Sequence, residues 1–79
     1  MAPLIQIDER VDAKGLSCPL PIVKTAQAIK AMAAGQVLEV LATDPGSVKD
    51  FAAWSKTTGH ELVESTSDGA VYRFVIRKH

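Results

Sequence analysis

The chain has 79 residues, enough for one domain and little more, and a domain of that size buries only about 60 per cent of its unfolded surface or slightly more. Its composition is 47% hydrophobic and 23% charged, with nine basic residues against nine acidic ones, so no net field draws it to nucleic acid or to a membrane surface. The single cysteine, Cys18, excludes an internal disulfide, a CxxC redox pair and a cysteine-rich zinc site.

Nothing in the sequence reads as a targeting or membrane segment. Met1 to Ile5 is too short and uncharged for a secretory signal, and no apolar run approaches the roughly eighteen residues of a transmembrane helix. A reducing cytoplasm is the expected setting, since a working free thiol requires one.

In chain order, Ile5, Ile7 and Val11 recur at even spacing, with Gln6, Asp8, Arg10 and Asp12 between them. This period-two pattern predicts a half-buried strand, with Glu9 the one misfit on the apolar side. Lys14-Gly15-Leu16 then reads as a short loop. Its Gly15 is able to take the positive backbone angle that turns the chain toward Cys18.

Cys18-Pro19-Leu20-Pro21 opens the first helix. Proline is tolerated in a first turn because the N–H it lacks would find no partner there. Cys18 therefore reads as the N-cap, Pro19 as the first helical position and Pro21 as part of the first turn. The helix is expected from about Pro19 to Ala34, with Ile22, Ala26, Ile29 and Ala33 as its apolar stripe and Gly35 as its cap. Lys24, Gln27 and Lys30 fall on other faces, either a solvated surface or one for docking a partner.

Unpaired N–H groups and aligned peptide dipoles favour an anion at a helix start. The Cys18 thiol is thus expected to ionise below the free value of about 8.5, with Lys14 and Lys24 as nearby positive charge. A terminal persulfide anion would be held by the same donors. The bland alternative is a buried cysteine acting as a small hydrophobe. Two prolines framing a helix start favour display.

Val37 to Ala42 is a nearly continuous apolar run, which predicts a buried strand in the middle of the sheet. Asp44 and Pro45 then open a second helix as N-cap and first helical residue. Val48, Phe51, Ala52 and Ser55 share one face, Trp54 lies beside it, and Gly59 ends the helix. Asp44 reads either as a plain cap or as a neighbour of the Cys18 site, because both helices follow strands in the same way.

Glu61 to Thr66 and Ala70 to Arg77 predict two strands joined through Ser67-Asp68-Gly69, since Asp-Gly is a strong hairpin signal. Tyr72, Phe74 and Ile76 are expected in the core, and Val71, Arg73, Val75 and Arg77 half solvated. Arg73, Arg77 and Lys78 form a small basic cluster. It reads as charge guarding an exposed sheet face or edge, or as a contact for RNA or an acidic partner. His60 reads as a polar residue at a strand start and His79 as the chain end; neither stands at ligand spacing from Cys18. The order strand, helix, strand, helix, strand, strand predicts a two-layer α/β sandwich, two helices on one face of a four-stranded sheet.

Cys18-Pro19-Leu20-Pro21 resembles the C-P-x-P signature of the TusA/SirA family of small sulfur-carrier proteins. The setting is similar too: Val11-Asp12-Ala13 and Gly15-Leu16-Ser17 lead into the motif. Ala42-Thr43-Asp44-Pro45-Gly46-Ser47 looks like the family's D-P turn ahead of its second helix, and a hairpin through Ser67-Asp68-Gly69 follows. Nearly the whole chain is covered, from about Ile7 onward. The resemblance implies a mixed sheet and a sulfur-relay role, in which Cys18 takes sulfane sulfur from a donor persulfide and carries it as Cys18–S–SH.

Pro19, Leu20 and Pro21 would frame that sulfur, with Lys14, Gly15 and Asp44 as candidate supporting residues. The resemblance implies a donor such as a cysteine desulfurase or a rhodanese-like protein, and an acceptor such as a DsrE-like or TusD-like complex. The pathways it implies are tRNA wobble-uridine thiolation and sulfur oxidation. Leu20 stands where some tRNA-thiolating members carry Glu, so sulfur oxidation is at least as well supported. No cofactor, metal, membrane or direct nucleic-acid contact is implied. Two other classes stay open: a regulatory module binding RNA or protein without moving sulfur, against which the balanced charge argues, and a thiol redox sensor, which lacks a resolving cysteine.

Overall fold

The computed structural model describes residues 6–79, so Ile5 and the rest of the segment from Met1 lie outside the described residues. Six elements follow one another: β1 (Glu9–Ala13), α1 (Leu20–Lys30), β2 (Val37–Ala42), α2 (Ser47–Thr58), β3 (Glu61–Asp68) and β4 (Val71–Arg77). The strands form one mixed sheet in the order β1-β2-β4-β3. β1 runs parallel to β2, and β4 is antiparallel to both β2 and β3. This is the expected βαβαββ sandwich, with β2 central as its apolar run predicts.

Alternation decides which face the helices cover. Val11 and Ala13, then Leu38, Val40 and Ala42, then Phe74 and Ile76 all point to one side, where they meet Ile29, Met32 and Phe51. The rings of Phe51 and Phe74 stack with centroids 4.3 Å apart, and Trp54 meets Phe51 edge-on.

Several boundaries differ from expectation. β1 begins only at Glu9: the Asp8 N–H still donates to Val37 O at 2.9 Å, but the Val37 N–H is taken by Asp8 Oδ2 at 2.8 Å and not by a backbone carbonyl. α1 stops at Lys30, four residues short of Ala34. The N–H groups of Ala31 and Met32 reach back only three residues, to Ala28 and Ile29, and Gln36 Oε1 accepts the Ala33 N–H. Gly35 is therefore not the cap. It turns the chain into β2 at φ +89° and donates its N–H to Lys78 O.

The buried face of α1 is Pro21, Thr25 and Ile29, while Ala33 of the expected stripe is exposed and Ile22 and Ala26 are half-buried. Thr25 tolerates burial because its hydroxyl donates to Pro21 O at 2.8 Å. On α2 the buried residues are Ser47 and Phe51, and Val48 and Ala52 face solvent. That helix ends on Gly59 at φ +84°, as expected.

β3 runs on to Asp68, which pairs with Val71, so the hairpin connection is Gly69-Ala70. Val75 is 1% exposed although it points away from the helices. It lies opposite both Glu39 and Glu64, and their ion pairs with Arg73 screen it.

Candidate functional site

Parallel pairing places the site. Ala13 stands opposite Ala42, both fully buried, so β1 and β2 end level and release their following loops side by side. Gly15, at φ +83° as its position predicts, donates its N–H to Thr43 Oγ1 of the neighbouring loop at 2.9 Å. A tight turn follows in which the Leu20 N–H donates to Ser17 O, around a cis Cys18–Pro19 peptide bond.

The Pro19 carbonyl accepts the Val23 N–H, which makes Pro19 the N-cap, Leu20 the first helical residue and Pro21 the second. Cys18 is thus one residue ahead of the cap, not the cap itself. Pro19 stands at φ −98° and ψ 16°, outside the helical range, so the capping position falls after the cysteine and leaves the thiol outside the helix.

Cys18 is exposed. Its N–H donates to Asp44 Oδ2 at 2.7 Å, and its Sγ donates to Asp50 Oδ2 at 2.5 Å. Asp44 is not the N-cap of α2: that place belongs to Gly46, and Pro45 lies before the helix. Asp44 Oδ1 accepts the Gly46 N–H and its carbonyl accepts the Ser47 N–H, while its other carboxylate oxygen reaches across to Cys18. Structurally, then, Asp44 is both the turn former ahead of α2 and a neighbour of the thiol.

Asp50, in the first turn of α2, is a site residue that sequence reading missed. An acidic residue in a first turn is the ordinary answer to the helix dipole. The only signal for it is its place six residues beyond Asp44.

These carboxylates reverse the expected acidity of the thiol, which is held above its ordinary range rather than below it. The largest cause is the hydrogen bond to Asp50, which stabilises the protonated form. Partial shielding from water by neighbouring atoms comes next, then the negative charges of Asp50 and Asp44. The side chain that reaches the thiol is the Asp50 carboxylate, not Lys14 or Lys24. Lys14 is an exposed loop residue whose N–H is taken by Asp12.

Leu20, Val23 and Val48, on the first turns of α1 and α2, are exposed large hydrophobic residues. Leu16 instead packs half-buried against the core, as cover for the helix start.

The basic cluster is spoken for. Arg73 pairs with Glu39 at 2.6 Å and with Glu64, Arg77 pairs with Glu61, and Lys78 Nζ donates to Met32 O. Since β4 is an inner strand, these arginines line a sheet face and do not guard an edge. His60 lies just ahead of β3, against the Trp54 ring, and its Nδ1 accepts the His79 N–H. Among the described residues no three His, Cys, Asp or Glu side chains are gathered as a metal site would need.

The fold is thus a two-layer sandwich with one exposed, backbone-anchored cysteine in front of a helix. Comparison with known proteins gives its family. The family model described as sulfurtransferase TusA matches residues 9–78. The sulfur carrier protein TusA of Allochromatium vinosum is 52% identical over 75 residues, covering 95% of this chain and 99% of that protein. The putative sulfur carrier protein YrkI of Bacillus subtilis is 51% identical over 71 residues, with 90% and 95% covered. The crystal structure of a SirA-like protein from Desulfitobacterium hafniense superposes with a TM-score of 0.76 at 25% identity, covering 87% of this chain and 95% of that one. The chain belongs to the TusA family of sulfur carrier proteins.

Proposed function

We propose that Cys18 is the carrying residue and that the protein relays sulfane sulfur between two partner proteins. In the loading step the Cys18 sulfur attacks the terminal sulfur of a donor persulfide, R–S–SH. The donor's S–S bond breaks, R–SH leaves with the proton that Cys18 gave up, and Cys18–S–SH remains. No oxidant or reductant is consumed. The observation that supports this reading is the exposure of the one cysteine at a rigid junction of two loops, where a partner's cysteine is able to reach it.

The donor is a cysteine desulfurase or a rhodanese-like protein, and the acceptor a DsrE-like or TusD-like complex, in a reducing cytoplasm. The sulfur then serves sulfur oxidation or tRNA 2-thiouridine synthesis. Leu20 between the two prolines favours the first at least as much as the second.

The test is a relay assay with labelled sulfur, from a persulfide-loaded donor protein to an acceptor thiol. Label should reach the acceptor with the wild type and fail to do so with Cys18→Ser. Relay by Cys18→Ser at the wild-type rate would overturn the assignment.

A further inference from the structure

We propose that Asp50 biases the carrier toward giving its sulfur up, an inference that rests on the reading of Cys18 as the carrying residue. In the empty protein Sγ bears a hydrogen and donates it to Asp50 Oδ2. In Cys18–S–SH that hydrogen is gone, because Sγ is bonded instead to a second sulfur about 2.0 Å away. The Sγ–H contact to Asp50 therefore belongs to the empty carrier alone, and once the terminal sulfur is ionised it has no hydrogen with which to replace that contact. An interaction made in only one of two states draws the equilibrium toward that state.

Charge acts in the same direction. An ionised terminal sulfur sits close to the carboxylates of Asp50, from α2, and Asp44, from the loop after β2. Among the described residues neither carboxylate has an ion-pair partner. Lys14 in the preceding loop, Lys24 on α1 and Lys49 on α2 are the basic groups on the surrounding elements, and among the described residues none of them pairs with Asp44 or Asp50.

Delivery balances as Cys18–S–SH plus A–SH giving Cys18–SH plus A–S–SH. The acceptor's sulfur bonds the terminal sulfur, the Sγ–S bond breaks, and the acceptor's proton ends on Sγ, where Asp50 holds it. Sulfur changes hands with no net oxidation.

The experiment equilibrates wild type, Asp50→Asn, Asp50→Ala and Asp50→Glu with a fixed mixture of glutathione persulfide and glutathione. The loaded fraction is read by intact mass. In parallel, the pH profile of iodoacetamide alkylation is recorded on each empty protein, with circular dichroism to verify folding. Asp50→Asn, which keeps the shape and loses the charge, should raise the ratio of loaded to empty carrier several-fold and move the alkylation midpoint to lower pH. Asp50→Glu should return part of both. Should Asp50→Ala fail to fold, Asp50→Asn decides alone. A folded Asp50→Asn protein with the wild-type loading ratio and the wild-type midpoint overturns the role of Asp50 while leaving the carrier intact. Wild type that takes up no sulfur overturns both.

Discussion

The Cys18 N–H and Asp44 Oδ2 lie 2.7 Å apart, so a single carboxylate ties the loop after β1 to the loop after β2. Its second oxygen holds the Gly46 N–H ahead of α2, and the starts of both helices are thereby fixed to one side chain. Asp44→Ala removes both acceptors from exposed backbone that water is able to serve in its place. The expected cost is about 1 kcal/mol of stability, seen as a lower thermal midpoint. Amide exchange should quicken at Cys18 and Gly46 and stay unchanged in the core strands.

The thiol of the empty carrier should titrate above an ordinary cysteine, since the Asp50 hydrogen bond and two negative charges favour its protonated form. At neutral pH the thiolate fraction is correspondingly small. Alkylation of Cys18 should therefore be slower than that of an unstructured cysteine peptide, and its rate should still be rising at the pH where the peptide has levelled off. A midpoint below that of the peptide would restore the helix-dipole expectation and remove Asp50 from the account.

Glu39 anchors the open face of the sheet. Arg73, and to a lesser extent Arg10, hold its carboxyl below the usual range against the opposing pull of burial. A carboxylate whose folded pKa is depressed contributes stability that is full above the unfolded value of about 4.3 and is lost as pH falls through the folded value. Glu39→Gln should cost about 1 kcal/mol at neutral pH. Urea melts of wild type and variant should converge in acid, where Glu39 is protonated in both states.

Two buried positions on α2 should respond in opposite ways. Phe51 is fully buried and stacks on Phe74, so Phe51→Ala opens a cavity at the centre of a small core. A loss of about 3–5 kcal/mol is expected, a large part of the whole for 79 residues. Ser47 is 1% exposed, and its hydroxyl has no hydrogen-bond partner among the described residues. Ser47→Ala removes an unsatisfied buried group and should leave stability equal or raised. Chemical melts followed by Trp54 fluorescence measure both.

What the sequence discloses and what it conceals divide along physical lines. Strand alternation, the apolar run of β2 and the turns at Gly15 and Gly59 are local, so the element order and the place of Cys18 at the start of α1 are legible in the chain, while its exposure, set by the packing of distant residues, is not. Thr25 is concealed because its polarity is cancelled by a bond to its own helix, which no hydropathy pattern records. Asp50 is concealed because its partner is 32 residues away and its local reason for being there, the start of α2, is already sufficient. The raised pKa of Cys18 is concealed for the same reason. The helix start speaks through the sequence around the cysteine, whereas the two carboxylates that override it arrive from the next βα unit.

The most direct measurement is intact-mass analysis after incubation with a persulfide donor, on wild type and Cys18→Ser side by side. The account predicts a gain of one sulfur atom on the wild type, reversed by a reductant and absent from the variant. An unchanged mass with several donors, or an equal gain on Cys18→Ser, would contradict it.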